Sequence, residues 1–411
     1  MKQQKTNNWQ IKKLGEVCEV ITGTTPSKKD EENYGSDLPF CKPPHLWDNE
    51  ISFTIEEMLS YKGAKKARVV PPNTVLVTCI GNLGRTGFLK KEAAFNQQIN
   101  AILENDKLIG KYIFYQAQSP SFRNQLEKLA TGTTVSIVNK KNFETIEIPI
   151  PPLETQHAIV SKIEELFSEL DKGIAELKTA QQQLKTYRQS VLKSAFEGKL
   201  TNENVKDGVL PDGWKSKSLK GLVLKVEKVK RKEVDENEEL IYLDIGGINN
   251  DSNRIENYKK FFWKDAPSRA QQIVKQNDIL FSTVRTYMKN IAIVDKEIYN
   301  NQIASSGFTV LRADTSVDYK YIYYNTISDV FLNPLNELQT GTSYPAVRDS
   351  DVLSQTINLP SSSEEQHLIV QEIESRLSVA DKMEQSIQES LQKAEALRQS
   401  ILKKAFSGEL V

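Results

Sequence analysis

A chain of 411 residues is too long for one ordinary domain, and its length suggests two or three. Lys plus Arg and Asp plus Glu number 54 each, so no overall positive field attracts nucleic acid, and the longest apolar runs are far too short to span a bilayer. Cys18, Cys41 and Cys79 lack the spacing of a disulfide framework, and the N-terminus has no signal-peptide pattern. We therefore expect a cytoplasmic protein.

Residues 1–152 are expected to form a first globular domain. Short apolar runs at 75–80 and 99–103 have the length and composition of strands, and the Pro, Gly, Asn and Asp residues around them are turn signals. Residues 108–118 are the main helical candidate. The segment therefore predicts a mixed α/β domain, in which small helices pack on a twisted sheet.

Residues 153–200 predict a long helix with one apolar stripe. Ala, Leu, Ile or Val side chains that recur every seven residues are typical of a coiled-coil core. Gly198 stands where a helix C-cap glycine belongs. At 1.5 Å per residue the helix would be roughly 65 Å long, and such a stripe needs a partner helix. The predicted core positions are Ile163, Leu170, Leu177, Leu184 and Val191.

The second half of the chain repeats the first. Residues 154–200 align with 364–410 at a constant offset of 210, with 20 identities in 47 positions. Ser361 and Glu364 predict a capping box at the start of this second helix, and Gly408 matches Gly198. The predicted core positions of the second helix are Ile373, Ala380, Ile387, Ala394 and Ile401.

Residues 201–360, between the two helices, match the first domain more faintly. Trp9 pairs with Trp214, and three short motifs recur in the same order. A strand is expected at 279–284 and a helix at 318–328. The motif pairs are FNQQI (95–99) with YNNQI (299–303), KYIFY (111–115) with KYIYY (320–324), and TGTT (131–134) with TGTS (340–343).

This order predicts an α+β protein with an internal repeat. Two similar mixed α/β domains, at 1–152 and 201–360, are separated by helices at 153–200 and 361–411 that form an antiparallel coiled coil about a pseudo-twofold axis. The alternative is that the helices are ordinary core helices of a larger globule. Their length argues against it, because few core helices run this far.

The usual sequence signatures of catalysis are missing. The chain has no Walker A loop and no GxGxxG fingerprint, and GNLG (81–84) has the composition of a turn. The histidines are His45, His157 and His367, and Cys41 with His45 lacks the second ligand pair of a zinc site. We therefore expect no catalytic residue, metal or cofactor in this chain.

Several motifs resemble the specificity subunit of type I restriction–modification systems, and the resemblance runs the full length of the chain. One departure lies at the helix starts, where ETQH and EEQH only approximate the family's proline–leucine–x–glutamate–glutamine pattern. The motifs are LGEVCEVITGTTPSKK (14–29), NYG (33–35), LPFCKPPHL (38–46), PPNTVLVTCIG (71–81), QNDILFSTVRTY (276–287), PDGW (211–214) and the segment from TGTT to IPIPPLETQHAIV (131–160).

The resemblance implies that each globular part is a target recognition domain, which reads one half of a split site in double-stranded DNA. The helix pair would set the spacing and dock two methyltransferase subunits. S-adenosylmethionine, ATP and Mg would be held by partner subunits, and the full complex, with its motor-nuclease subunits, would methylate adenine at N6 and cleave DNA with ATP.

Residues that read DNA are expected among polar and basic loop side chains, because Arg, Lys, Asn, Gln, Ser and Thr contact bases and phosphates. In the first domain the candidates are Thr24, Thr25, Ser27, Lys28, Lys29, Lys42, Arg85 and Lys140. In the second they are Arg231, Lys232, Arg269, Arg285, Tyr287, Lys289, Tyr344 and Arg348.

The matching helix ends, AFEGKL and AFSGEL, are the candidates for partner binding, through Phe196, Leu200, Phe406 and Leu410. Phe196 and Phe406 have an equally good alternative role, which is to close the coiled-coil core. For the whole chain, the rival hypotheses are a coiled-coil spacer protein with protein-binding ends and an enzyme of unrecognised type.

Overall fold

A computed structural model describes residues 9–51, 57–132, 134–202, 205–206 and 208–411. The start of the predicted first domain, residues 1–8, and Thr133 of the TGTT motif lie outside the described residues. The chain divides into two compact units, one formed by Met1–Lys178 with Gln388–Val411 and the other by Thr179–Ile387. Each unit therefore contains one globular domain and a part of both long helices. The predicted domain boundaries stay predictions.

The first unit is a mixed α/β structure, as its sequence predicts. Its helices are α1 (Leu14–Val17), α2 (Tyr61–Ala64), α3 (Gly110–Gln118), α4 (Pro120–Lys128), α5 (Lys140–Phe143) and the start of α6 (Leu153–Phe196). Its strands are β1 (Gln10–Lys13), β2 (Val20–Thr22), β3 (Tyr34–Gly35), β4 (Leu38–Cys41), β5 (Asn49–Glu50), β6 (Met58–Leu59), β7 (Val69–Val70), β8 (Val75–Thr78), β9 (Thr86–Phe88), β10 (Ala93–Phe95), β11 (Ile99–Ile102) and β12 (Glu147–Ile150).

The described strands of this unit form two five-stranded sheets and one strand pair. The sheet orders are β2-β11-β8-β9-β5 and β3-β6-β4-β10-β7. Strand β1 pairs antiparallel with β12, so the first and last strands close the domain together. Strands β8 and β11 are buried throughout, so their sequences, VLVT and INAI, do not alternate between buried apolar and exposed polar residues.

The second unit is also a mixed α/β structure. Its helices are α7 (Tyr319–Thr326), α8 (Asp329–Glu337), α9 (Asp349–Ser354) and the start of α10 (Ser363–Phe406). Its strands are β13 (Trp214–Ser218), β14 (Val223–Leu224), β15 (Glu239–Leu243), β16 (Ile248–Asn249), β17 (Arg254–Ile255), β18 (Lys259–Phe262), β19 (Ala270–Ile273), β20 (Ile279–Ser282), β21 (Ile291–Ile293), β22 (Ile303–Ser305), β23 (Phe308–Ala313) and β24 (Thr356–Pro360).

The sheets of the second unit repeat the topology of the first. The order β14-β23-β20-β21 corresponds to β2-β11-β8-β9, and β15-β22-β19 corresponds to β4-β10-β7. Even the strand directions agree, because β4 pairs parallel with β10 and β15 pairs parallel with β22. Strand β13 closes the domain against β24. The faint sequence repeat therefore reflects a duplicated fold.

Helices α6 and α10 are 44 residues long each, and in each unit they pack antiparallel. In the first unit Arg398 pairs with Asp171, and in the second Arg188 pairs with Asp381 at 2.6 Å. The side chains at all ten predicted heptad positions are buried or partly buried. The assignment of these ten residues to a coiled-coil core stays a prediction.

The ends of the helices follow the predicted capping at two positions and depart from it at one. Gly198 and Gly408 both have a φ of +77°, and the amides of Lys199 and Glu409 donate to the carbonyls five residues earlier, as in a Schellman motif. The prediction that Ser361 caps the second helix is wrong. Its hydroxyl donates to Gly213, and the hydroxyl of Ser362 accepts from the Glu365 amide at 3.3 Å instead.

Each domain is held by its own following helix and by the end of the other long helix. In the first unit the ring of Phe406, at the end of α10, packs edge-on against Tyr112 at 5.2 Å. In the second unit Phe196, at the end of α6, packs in the same way against Tyr321 at 5.4 Å. The hydroxyls of these tyrosines donate to matching strand carbonyls, of Pro149 and Asn358.

A lysine in each domain reaches the helix that follows it. Lys111 donates to Glu164 of α6 at 2.9 Å and to Glu50 at 2.6 Å, while Lys320 donates to Glu374 of α10 at 2.7 Å. Burial acts to lower the pKa of Lys111, but its two carboxylate partners outweigh burial and raise the pKa to about 12. The lysine is therefore charged at neutral pH and fixes the domain to its helix.

A buried glutamine joins each domain to the helix start. The amide nitrogen of Gln156 donates to the carbonyls of Lys107 and Pro151, at 2.7 and 2.9 Å, and its oxygen accepts from Ile109 at 3.1 Å. Gln366 makes the equivalent three bonds in the second unit. This pair explains the glutamine that ETQH and EEQH share.

We expect Gln156→Ala to lower the free energy of unfolding by about 1–3 kcal/mol, because it leaves buried backbone groups without hydrogen bonds. Urea unfolding of the full chain measures the change. Gln182→Ala, at an exposed position of the same helix, is the matched control and is expected to change stability by less than about 0.5 kcal/mol. Equal effects of the two substitutions would show that the glutamine network does not stabilise the domain.

Candidate nucleic-acid interface

The two domains present equivalent loops after their central strands. One loop joins β8 to β9 and the other joins β20 to β21. Each is held beside a second loop by an isolated bridge, Ile80 to Ile137 in the first domain and Val284 to Ala346 in the second. The buried strands behind them give both loop pairs a rigid base. We call these loops the paired loops. They are residues 79–85 with 131–132 and 134–137 in the first domain, and residues 283–290 with 340–346 in the second.

In the first domain the paired loops carry Arg85, whose guanidinium carbon lies 3.9 Å from the centre of the Trp47 ring. Trp47 is 64% exposed and donates from its indole nitrogen to the carbonyl of Pro44 at 2.6 Å. The next residue, Asp48, accepts hydrogen bonds from the amide and hydroxyl of Thr86, both at 3.0 Å, and pairs with Arg123. Trp47 and Arg85 are thus held in place at the edge of an open cleft of about 300 Å³.

In the second domain the paired loops carry Arg285. Its guanidinium lies 4.9 Å from the centre of the Tyr344 ring and donates to the carbonyl of Ser343 at 3.0 Å. Tyr344 is 71% exposed. Tyr287, also exposed, follows in the same loop, while Lys289 forms an ion pair with Asp329 at 2.7 Å. Four of the predicted DNA-binding residues, Arg285, Tyr287, Lys289 and Tyr344, therefore lie on one pair of loops.

The other candidates of the first domain lie on several segments. Thr24 and Thr25 follow β2, and their hydroxyls hydrogen-bond to the Arg68 amide at 3.0 Å and to Gln97 at 2.5 Å. Lys42 pairs with Glu57, which also lies 3.8 Å from Lys28. Ser27 and Lys29 are exposed, and Lys140 is exposed at the start of α5 beside Glu144. The structure brings Arg85 together with Trp47 and leaves these seven candidates outside that cluster.

The remaining candidates of the second domain are exposed as well. Arg231 donates to the carbonyl of Ala266 at 3.0 Å and lies over Trp263, which gives it a structural role. Lys232 and Arg269 are exposed in loops. Arg348 is exposed just before α9. For all sixteen residues, contact with DNA stays a prediction.

The candidate partner-binding residues divide by burial. Phe196 is 4% exposed in the core of the second unit, where it packs against Tyr321 of the globular domain. Phe406, Leu200 and Leu410 are partly buried and pack against the cores of their units. Their predicted part in docking stays a prediction.

The sequence did not point to Trp47 or Arg123. A lone tryptophan between His45 and Asp48 is a usable signal, because exposed aromatic side chains in loops are enriched at binding sites. The three cysteines are buried and free, and burial raises the pKa of each thiol to about 12. They are therefore protonated at neutral pH and poorly suited to act as nucleophiles.

Among the described residues, no group of three or more His, Cys, Asp or Glu side chains is arranged to hold a metal ion. Among the same described residues, no helix is both long enough and apolar enough to cross a membrane.

Comparison with known proteins matches both halves of the chain to one family. The model of the type I restriction modification DNA specificity domain matches residues 6–179 and again residues 211–393. The HindI specificity subunit of Haemophilus influenzae is 31% identical over 39% of this chain and 35% of its own length. The EcoKI specificity subunit of Escherichia coli is 23% identical over 98% of this chain and 89% of its own length.

The fold has solved counterparts. A chain from a structure of a type I restriction–modification system superimposes with a TM-score of 0.75 at 18% identity, over 98% of this chain and 99% of that one. Because the family model covers most of both halves, the chain belongs to the family of type I restriction modification DNA specificity domains, which it contains twice. The comparisons confirm the predicted specificity subunit with DNA recognition domains, and they give no support to the spacer-protein alternative.

Proposed function

We propose that the two domains read different halves of one split DNA target, while α6 and α10 set the distance between the halves. The observation that carries this proposal is a contrast between two parts of the repeated unit, the helix and the globular domain. The helical copies are alike, with 20 identities in 47 positions, which suits surfaces that present the same docking site to identical partners. The paired loops share a backbone framework but differ in sequence, which suits two readers of different bases.

We further propose that the chain assembles with two methyltransferase subunits and, in the full complex, with motor-nuclease subunits. Those subunits would hold S-adenosylmethionine, ATP and Mg, and would carry out adenine methylation and DNA cleavage, so that this chain contributes recognition without catalysis. The balance of charges supports this division of labour. Phosphate contacts supply much of the affinity of most DNA-binding proteins, and a chain with equal numbers of acidic and basic residues needs partners to supply part of them.

Replacement of one domain tests the proposal. We expect a chimera that carries the corresponding segment of the EcoKI specificity subunit in place of residues 201–360 to change one half of the methylated sequence and to leave the other half unchanged. The readout is sequencing of methylated adenines in DNA treated with the complex of chimera and methyltransferase subunits. Changes in both halves, or in neither, would contradict separate reading by the two domains.

A further inference from the structure

We propose that each domain uses one arginine to recognise the major-groove edge of a guanine. The arginine is Arg85 in the first domain and Arg285 in the second. The inference rests on the proposed function and deepens it, since it assigns one residue in each domain and the base that it selects. Arg donating two hydrogen bonds to O6 and N7 of guanine is the commonest specific contact between proteins and DNA bases.

A similar arrangement occurs in both domains. In each, the loop after the central strand carries an arginine that lies over an exposed aromatic ring of another segment, Trp47 in one domain and Tyr344 in the other. The two arginines are not at matching sequence positions, because Arg85 ends its loop and Arg285 begins its own. Two different sequences therefore place an arginine over an exposed ring in the loop that follows the corresponding strand.

Both guanidinium groups have few hydrogen bonds within the protein. Among the described residues, no protein group accepts a hydrogen bond from the Arg85 guanidinium, and only the Ser343 carbonyl accepts one from the Arg285 guanidinium. By contrast, Arg123, Arg312 and Arg398 are paired with carboxylates of their own unit. Arg85 and Arg285 thus keep donors for a ligand, while the rings beneath fix the plane in which those donors lie.

The backbone of Arg285 has a φ of +51°, in the left-handed region. The matching position of the first domain is Gly81, which has a φ of +80°. A left-handed backbone is unfavourable for a residue with a side chain, so glycine is the expected residue there. The second domain keeps an arginine at this cost, and strained residues of this kind cluster at binding sites. A planar guanidinium held in one orientation also loses less entropy when it meets a base.

Substitutions that separate shape from charge test the proposal. Arg85→Lys keeps the charge and loses the planar fork, and Arg285→Gly gives the second domain the glycine that the first domain has, which avoids strain in the backbone. Each variant is assembled with methyltransferase subunits and used to select binding sites from a pool of random duplex DNA. We expect each to lose its preference for one guanine by about 5- to 150-fold, with Arg85→Lys affecting one half-site and Arg285→Gly the other.

The two variants are controls for each other, and Arg254→Ala removes an exposed arginine from the same domain as Arg285. Arg254→Ala is expected to keep every base preference. A uniform loss of affinity in the Arg85 and Arg285 variants, with all base preferences intact, would show that the arginines contact phosphates and would overturn the inference. The unsubstituted complex is tested in the same selection. If it selects no split site, the proposed function itself fails, and this outcome is distinct from a failure of the guanine inference alone.

Discussion

Phe196→Ala is expected to lower the free energy of unfolding of the second unit by about 3–5 kcal/mol, the usual cost of removing a buried phenylalanine ring. The ring is 4% exposed and packs against Tyr321, so its loss leaves a cavity where the end of α6 meets the domain. Hydrogen exchange followed segment by segment measures the effect. Amides of the second unit are expected to lose protection, while those of the first unit keep theirs.

Tyr187→Ala, on the same helix at a side chain that is 42% exposed, is the matched control and is expected to change stability by less than about 0.5 kcal/mol. The pair of variants also separates the two roles considered for Phe196. Unchanged stability together with weaker binding of methyltransferase subunits would assign the ring to docking and would contradict the role in the core.

Insertion of one heptad into each long helix is expected to lengthen the spacer of the DNA target and to leave both half-site sequences unchanged. Seven helical residues add about 10.5 Å, which corresponds to at most about three base pairs. The insertions belong after Lys178 and after Ile387, where the two compact units meet along the chain, so that the apolar spacing continues in phase.

Sequencing of methylated adenines gives the new spacer length directly. The same heptad placed in α6 alone leaves the two helices unequal, and this control is expected to abolish recognition of the split site. Altered bases in either half-site, or an unchanged spacer in the double insertion, would contradict the proposal that the helix pair sets the distance.

Features that depend on local spacing were predictable from the sequence. The heptad positions of α6 and α10, the glycine caps, strands β8, β11 and β20, and helices α3 and α7 all follow from periodicity and turn residues. Helix α8 did not, because it contains Pro334, which normally argues against a helix interior. Helix α4 is only nine residues long, too short for a clear period.

The cluster around Arg85 was only half predictable. Arg85 stood out as a basic residue in a loop, whereas Trp47 comes close to it only because β5 pairs parallel with β9. In the same way, the contact between Phe406 and Tyr112 depends on the last helix of the chain returning to the first domain. Such contacts between distant segments are set by the complete fold, and a pattern within one segment does not contain them.

In the function that we propose, one chain reads a split target with two separate domains. The most direct test maps methylated adenines across the DNA of a bacterial host that expresses this chain with its methyltransferase subunits. We predict one asymmetric target of two specific parts, separated by a non-specific spacer of fixed length, that disappears when the chain is omitted. A continuous target, or the same methylation without the chain, would contradict the account.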